Sequence, residues 1–262
     1  MHLFVVSQED QASLSMGNAI IGDGRFQMES QGICRYKDCM LALIEQRHLY
    51  WNGIEVIEQS TGNKIQDVVF LSRHSSAAGI KSITVHPTGN YGQADLGGEP
   101  ETLTKSNPAM MTSYLRYVKH ALKNPSVEVT FEATHHGPSI DRPNFYFEIG
   151  TTENEWNDNE ILEVCKEAIF CSEINNERNF VGVGGGHYMT KVTQYVLENS
   201  VNVGHMISKH SLSEIKGAMI LQAVEKTPRC AGFLIDRKGV KSRQKELINH
   251  ICDERSLEKI II

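Results

Sequence analysis

The sequence predicts an α/β fold in which helices cover the faces of a mixed, largely parallel sheet. Two observations carry that prediction. Short apolar runs that end in polar residues alternate with stretches whose apolar residues recur at helical spacing. From residue 67 onward the order strand, loop, helix then repeats, while a few strands follow one another with no helix between, which makes the sheet mixed. At 262 residues, 40% of them hydrophobic, the chain is long enough to bury a substantial core, and we expect one domain spanning 1–262.

The opening "HLFVVS" reads as a short buried strand. "DQASLSMGNAII" follows as a helix with Asp10 as its cap. Residues 22–66 carry little pattern; "LALIEQRHLYW" and "IEVIEQ" fit strands or short helices around the Asn52-Gly53 turn signal. "DVVFLSRHSS" and "KSITVHPTGN" are strands delivering His74 and His86 at their ends, the second emptying into a glycine-rich loop. "NPAMMTSYLRYVKHALKN" has Asn107 as cap, Pro108 at the first helical position and apolar residues at 111, 115, 118 and 122, one face of a helix. "VEVTFEATHHGP" and "RPNFYFEIG" are strands. A helix over "NDNEILEVCKEAIFC" is expected to start at an Asn157 to Glu160 capping box. "NFVGVGGGHY" is a strand running into a triple-glycine turn, and "NVGHMIS" is a strand. "SLSEIKGAMILQAVEK" is a helix with a Ser211 to Glu214 capping box, and "CAGFLID" and "KSRQKELINHICDE" close the series as strand and helix.

Composition narrows the function. No apolar run approaches a bilayer span, and the N-terminus lacks a signal-peptide pattern, so a cytoplasmic location is expected. Six cysteines without a C-x-x-C pair indicate neither a thiolate zinc site nor a disulfide framework. A net charge of −6 argues against a nonspecific nucleic-acid binder, yet leaves room for a local basic patch. "DRKGVKSRQKEL" is such a patch; Arg237, Lys238 and Lys241 are suited to phosphates, although a solvated helix start accounts for the run as well.

Eleven histidines are the unusual feature, and they gather at predicted strand ends, where open α/β sheets bind ligands. His74, His86, Glu132, His135, His136, Glu148, His187 and His205 all fall there. Strand alternation puts Glu132 on one face and sends the adjacent His135 and His136 opposite ways, with His136 favoured as the companion of Glu132 unless the Gly137-Pro138 bend re-aims them. The pattern is not the helical H-E-x-x-H zinc motif, so a metal would recruit ligands from several segments: His86, Glu132, His135 or His136, and His187 suit zinc. Each histidine alone reads more simply as a hydrogen-bonded core or turn residue. The amides of Gly184, Gly185 and Gly186 are suited to an anion or carbonyl oxygen, and Thr88 and Asn90 of "HPTGN" to a substrate's carbonyl or amine; tight structural turns are the simpler readings.

Taken together, "DQAS", "FLSRHSS", "TVHPTGN", "FEATHHGP", "FEIGTTENEW", "VGVGGGHY" and "GHMISKH" resemble the archaeal and plant type of D-aminoacyl-tRNA deacylase, in that family's order, from about Asp10 to His210. The resemblance implies a three-layer α/β/α, phosphorylase/hydrolase-like core akin to that of peptidyl-tRNA hydrolase. It implies a zinc-dependent hydrolase that frees D-amino acids from the 3′ end of tRNA, a proofreading activity. On that reading His86, His135, His136 and His187 are metal candidates, and Glu132, Glu148 and His74 are catalytic candidates. Thr88, Asn90 and Gly184–Gly186 are candidates for holding substrate, and Arg237, Lys238 and Lys241 for holding tRNA. One of the two glutamates is expected to accept a proton from a metal-activated water. The rivals are a zinc-dependent amidohydrolase or peptidase and a non-catalytic RNA-binding module. No exposed apolar stripe asks for a protein partner, so a monomer is expected.

Overall fold

The structure is a computed structural model that describes residues 1–76 and 79–262. β1 (His2–Ser7) leads into α1 (Gln11–Gly22), and Asp10 caps that helix as expected, accepting from the Ser13 amide. The weakly patterned stretch forms β2 (Gln27–Ser30), β3 (Ile33–Tyr36), β4 (Cys39–Ile44), a 3-10 turn at His48–Tyr50 and α2 (Ile54–Thr61). After β5 (Asp67–His74) and β6 (Ser82–His86), the short pair β7 (Gly89–Asn90) and β8 (Thr102–Leu103) precedes α3 (Pro108–Ala121), whose cap is Asn107. β9 (Glu128–Phe131), β10 (Asn144–Gly150), α4 (Glu153–Trp156), α5 (Asn159–Cys171) and β11 (Arg178–Val183) come next. The chain ends with α6 (Thr190–Glu198), β12 (Val201–Ile207), α7 (Lys209–Leu212), α8 (Gly217–Glu225), β13 (Cys230–Ile235), α9 (Ser242–Arg255) and β14 (Glu258–Ile261).

Two capping boxes fall elsewhere than the sequence suggests. Asn157 closes α4, so α5 is capped one residue later, by Asp158, which accepts from the Glu160 and Ile161 amides. Ser211 lies inside α7, whose cap is Ser208. The S/T/N-x-x-E spacing does not mark a helix start when the preceding residues are already helical.

The main sheet has eight strands in the order β2-β3-β4-β1-β5-β10-β6-β9. β4, β1, β5 and β10 run parallel; β6 is antiparallel to β10, and β9 is parallel to β6. A second, all-parallel sheet has the order β12-β11-β13-β14. Alternation sorts the main sheet's residues. Val69, Leu71, Val85, Phe131, Phe145 and Phe147 point into a core that also holds Met111 and Leu115 of α3 and Phe180, Val203 and Met206 of the second sheet. Val68, Phe70 and Tyr146 point the other way, with Ile54 and Ile57 of α2.

The register decides what else shares that second face. Across β5, β10, β6 and β9 the in-line residues are Phe70 with Tyr146 and His86, and Ser72 with Glu148, Thr84 and Thr130. Because β6 runs against β10, the end of β6 lies beside Tyr146 near the start of β10. The polar cluster therefore spreads over the face of the sheet and is not confined to the carboxyl ends of its strands.

α4 is held to β10 by one buried carboxylate. Glu155 accepts from the Thr152 amide (2.9 Å), the Thr152 hydroxyl (2.7 Å) and the Thr151 amide (3.3 Å), and pairs with Lys81 (3.2 Å). Burial pushes its pKa up, but these donors outweigh burial and hold it at about 2. A folded pKa below the unfolded value contributes stability that is complete above the unfolded pKa of about 4.5 and is lost as pH falls toward 2. Glu155→Gln is expected to cost about 1.5–3 kcal/mol at neutral pH. The Tm difference from the parent should shrink between about pH 5 and pH 3; a constant difference would show that the charge is not responsible.

Candidate functional site

A cavity of about 500 Å³ opens on the polar face of the main sheet, lined by His74, Tyr146, Glu148, His135, His136 and His187 among others. Glu132 lies directly beneath, fully buried. Its strand partner changes just there: β9 ends at Phe131, but the Glu132 amide still donates to Val85 O and the residue bridges to Tyr188. The next amide, of Ala133, donates to His187 O. These bonds draw the segment after the glycine turn across the end of β9 and set His187 on Glu132.

Glu132 gathers three imidazoles: His74 Nδ1 at 2.8 Å, His187 Nε2 at 2.8 Å and His135 Nε2 at 3.8 Å. Burial would raise its pKa, but the hydrogen bonds from His187 and His74 hold it well below the carboxylate range. Glu148 is likewise held down, at about 2, because His74 and His86 outweigh its burial. His74 shows the reciprocal effect. Burial lowers it, Glu132 and Glu148 raise it, and the result is about 11, a fixed cation whose Nε2 also donates to the Tyr188 hydroxyl at 2.8 Å.

A second group lies beside this one. His86, His135 and His136 pack with ring centres 4.1 to 4.9 Å apart. Each places Nδ1 on a backbone carbonyl: Pro87 O at 3.2 Å, Ala133 O at 2.8 Å and Gly137 O at 2.8 Å. A carbonyl only accepts, so each Nδ1 carries a proton, and Nε2 is the nitrogen that holds the lone pair when the ring is neutral. One ring nitrogen from each of the three lies within 4.8 Å of the others, and Nε2 of fully buried His86 has no hydrogen-bond partner among the described residues. His135 is pushed well down by burial and by its histidine neighbours, and His136 to about 4 by the same causes; both are neutral donors. Burial lowers His86, but Glu148 at 3.7 Å shifts it up overall. This donor set suits zinc, which takes imidazole nitrogens oriented by outer hydrogen bonds.

His135 and His136 do not diverge. The strand has ended before them, and His136 takes φ +44°, a left-handed conformation that swings its ring back toward His86. His135, not His136, is the neighbour of Glu132.

Other candidates lie away from the cavity. Thr88 is fully buried, donating to Asn144 Oδ1 and bonded to the Thr104 hydroxyl, and Asn90 donates to Gly97 O and Glu99 O. The "HPTGN" loop supports the site instead: the Gly89 amide donates to His136 O, and the 97–98 turn pinned by Asn90 packs on Gly137. Gly184, Gly185 and Gly186 also do not line the cavity. Gly184 takes φ +96°, its amide donates to Ile207 O, and a Cβ there would meet Asp236 O at 2.9 Å. The turn is packed against the 3-10 segment Arg237–Gly239. Lys238 and Lys241 line a separate cleft of about 270 Å³ with Lys209 and His210, and Arg237 adjoins it in sequence. His205 is buried between the Thr134 hydroxyl and Thr104 O, a structural strut.

The cavity also contains residues that sequence reading passed over: Arg47, His48, Arg73, Tyr146 and Trp156. Tyr146 was accessible to it, since it lies two residues before Glu148 on one strand face. Arg47 belongs to the unpatterned stretch, where no local signal marks it.

Residues 61–260 match the family model described as D-aminoacyl-tRNA deacylase. The chain is 46% identical to the D-aminoacyl-tRNA deacylase of Thermoplasma acidophilum, with all of both chains covered. It is 32% identical to that of Archaeoglobus fulgidus, over 98% of this chain and 95% of the relative. A solved crystal structure of a conserved protein of unknown function superposes with a TM-score of 0.90 at 30% identity, over all of this chain and 95% of the other.

Proposed function

Since the chain belongs to the D-aminoacyl-tRNA deacylase family, we propose that it hydrolyses the ester joining a D-amino acid to the 3′-terminal ribose of tRNA, with zinc held by His86, His135 and His136. The observation that carries the zinc reading is the backbone-anchored Nδ1 of all three imidazoles, in a trio that has one ring nitrogen of each within 4.8 Å of the others. Zinc bound there would supply Lewis acidity toward a water or the ester carbonyl. Ligation requires the proton favoured on His86 by Glu148 to leave.

The chain's own groups divide the remaining work. Glu148 is the carboxylate that lines the cavity, while Glu132 lies beneath it, so Glu148 is the group that accepts the proton of the attacking water. Glu132, beneath the cavity, holds His74 protonated and positions His187. His74 contributes a fixed positive charge where negative charge develops on the ester. The layering of the largely parallel main sheet between α1 and α3 on one side and α2 on the other supports the phosphorylase/hydrolase-like, peptidyl-tRNA-hydrolase-like core and a single domain. No helix among the described residues is long and apolar enough to cross a membrane.

Two basic features support tRNA as the carrier. Arg47 and Arg73 line the cavity with no carboxylate partner among the described residues, and the Arg73 guanidinium lies 6.0 Å over the Trp156 ring. Guanidinium forks suit phosphate oxygens, and they are placed to take those nearest the terminal nucleotide. Lys238 and Lys241, across the glycine turn, are placed for phosphates farther along. Arg47→Ala and Arg73→Ala are each expected to raise KM for D-aminoacyl-tRNA about 5- to 20-fold and to reduce the salt slope by about 0.7–0.9. Hydrolysis of D-aminoacyl-adenosine, which lacks the phosphates, should change little for Arg47→Ala, Arg73→Ala, Lys238→Ala or Lys241→Ala; equal losses on both substrates would assign these residues to the fold.

The activity itself is tested with D-tyrosyl-tRNA, L-tyrosyl-tRNA and a peptide panel. Release of D-tyrosine well ahead of L-tyrosine is expected. Peptide cleavage alone would favour a peptidase, and binding without turnover an RNA-binding module.

A further inference from the structure

Tyr146 carries a hydroxyl that the fold has no use for. The side chain is 1% exposed, it lines the cavity, and its hydroxyl has no hydrogen-bond partner among the described residues. Its ring is held on every side. Phe70 stacks on it at 4.9 Å, and His86 stacks nearly parallel, at 3° and 5.1 Å. His136 and His48 meet it edge to face at 4.7 and 5.9 Å. All of these contacts are made by the ring, so phenylalanine would keep them and avoid burying an unsatisfied donor.

A buried donor without a protein partner, beside the proton acceptor Glu148 on the same strand face, is suited to a partner that arrives with the substrate. The imidazole donors nearby are already engaged: both ring nitrogens of His74 are committed to Glu132 and Tyr188, and the anchored histidines spend Nδ1–H on carbonyls, while Arg47 and Arg73 are assigned to the phosphates.

We infer that Tyr146 is a catalytic residue of this chain, whose hydroxyl donates a hydrogen bond to the carbonyl oxygen of the scissile ester and strengthens it as that oxygen becomes an oxyanion. The inference rests on the ester-hydrolase reading of the cavity. As the water oxygen bonds to the acyl carbon, its proton passes to Glu148 and the carbonyl electron pair moves onto oxygen. As the pair returns, the bond to the ribose oxygen breaks, and that oxygen takes the proton back from Glu148, which is left ionised again. Tyr146 keeps its own proton throughout. Its rigid ring means that the donor is already aimed before the charge forms, which is what makes such a bond stronger in the transition state than in the ground state.

Tyr146→Phe, assayed on D-tyrosyl-tRNA beside the parent, tests this. We expect kcat to fall about 100-fold with KM within about twofold. Bound zinc per chain should be unchanged, and Tm equal to or above that of the parent. A kcat within about threefold of the parent would overturn the inference. So would a loss confined to KM, a fall in bound zinc, which would mean that the hydroxyl acts through the histidine trio, or a lower Tm, which would reveal a structural partner for the hydroxyl. The parent reports separately on the underlying reading: if it fails to release D-tyrosine, the deacylase reading falls, and the role of Tyr146 with it.

Discussion

Glu148→Gln is expected to lower kcat about 10²- to 10⁴-fold on D-aminoacyl-tRNA, the range associated with loss of a positioned proton acceptor. The amide has nearly the same shape, so the packing of β10 against β5 and β6 should survive. The electrostatic change is large, however. Glu148 is one of two buried carboxylates that hold His74 as a cation, and from 3.7 Å its charge also raises His86. The variant should therefore bind zinc at least as readily as the parent, because the proton on His86 loses its partner, while turning over far more slowly. Single-turnover rates and zinc content measured on the same preparation check this. A variant that loses zinc and activity together would make Glu148 a ligand in place of a base; the grouping of His86, Glu132 and Glu148 is geometrically open to a cation as well.

Under the proposed zinc mechanism, chelation should have an effect of similar size. If zinc supplies several kcal/mol of charge stabilisation, chelation should slow hydrolysis by roughly a thousandfold or more, and stoichiometric zinc should restore it. His136→Ala should reproduce the loss without rescue, since it deletes one of three converging nitrogens. Circular dichroism and thermal denaturation of the chelated protein distinguish loss of chemistry from loss of structure. Full activity in protein verified to be metal-free would exclude the zinc mechanism. His86, His135 and His136 would then be a neutral polar wall, and the charged pair of His74 and Glu132 would carry the catalysis.

The two predictions depend on features of different legibility. The carboxylates and histidines of the cavity are visible in the sequence as polar residues ending apolar runs, a pattern set by side-chain alternation within each strand. Glu132 lies opposite the buried Phe131 as alternation predicts, because β-strands leave little freedom in where alternate residues point. His135 and His136 were misjudged in direction, since the alternation rule stops with the strand at Phe131 and φ +44° at His136 is a property of the loop. Thr88 and Asn90 looked like substrate contacts because they are polar and lie in a loop. Only the packed structure shows that their hydrogen bonds are already spent on Asn144, Thr104 and the 97–99 turn.

By itself, the sequence determined the α/β class, the capped helices at Asp10 and Asn107, and the family, because each is written in local spacing or in motifs read in order. The tertiary structure decided which residues meet. The antiparallel placement of β6 beside β10 carries His86 to Tyr146 and Glu148, and the Ala133–His187 backbone bond brings the end of the glycine turn to Glu132. Those contacts join residues 54 to 62 positions apart in the chain. Local propensity carries no information about such pairings, which follow from how the two sheets bury their apolar faces against a shared core.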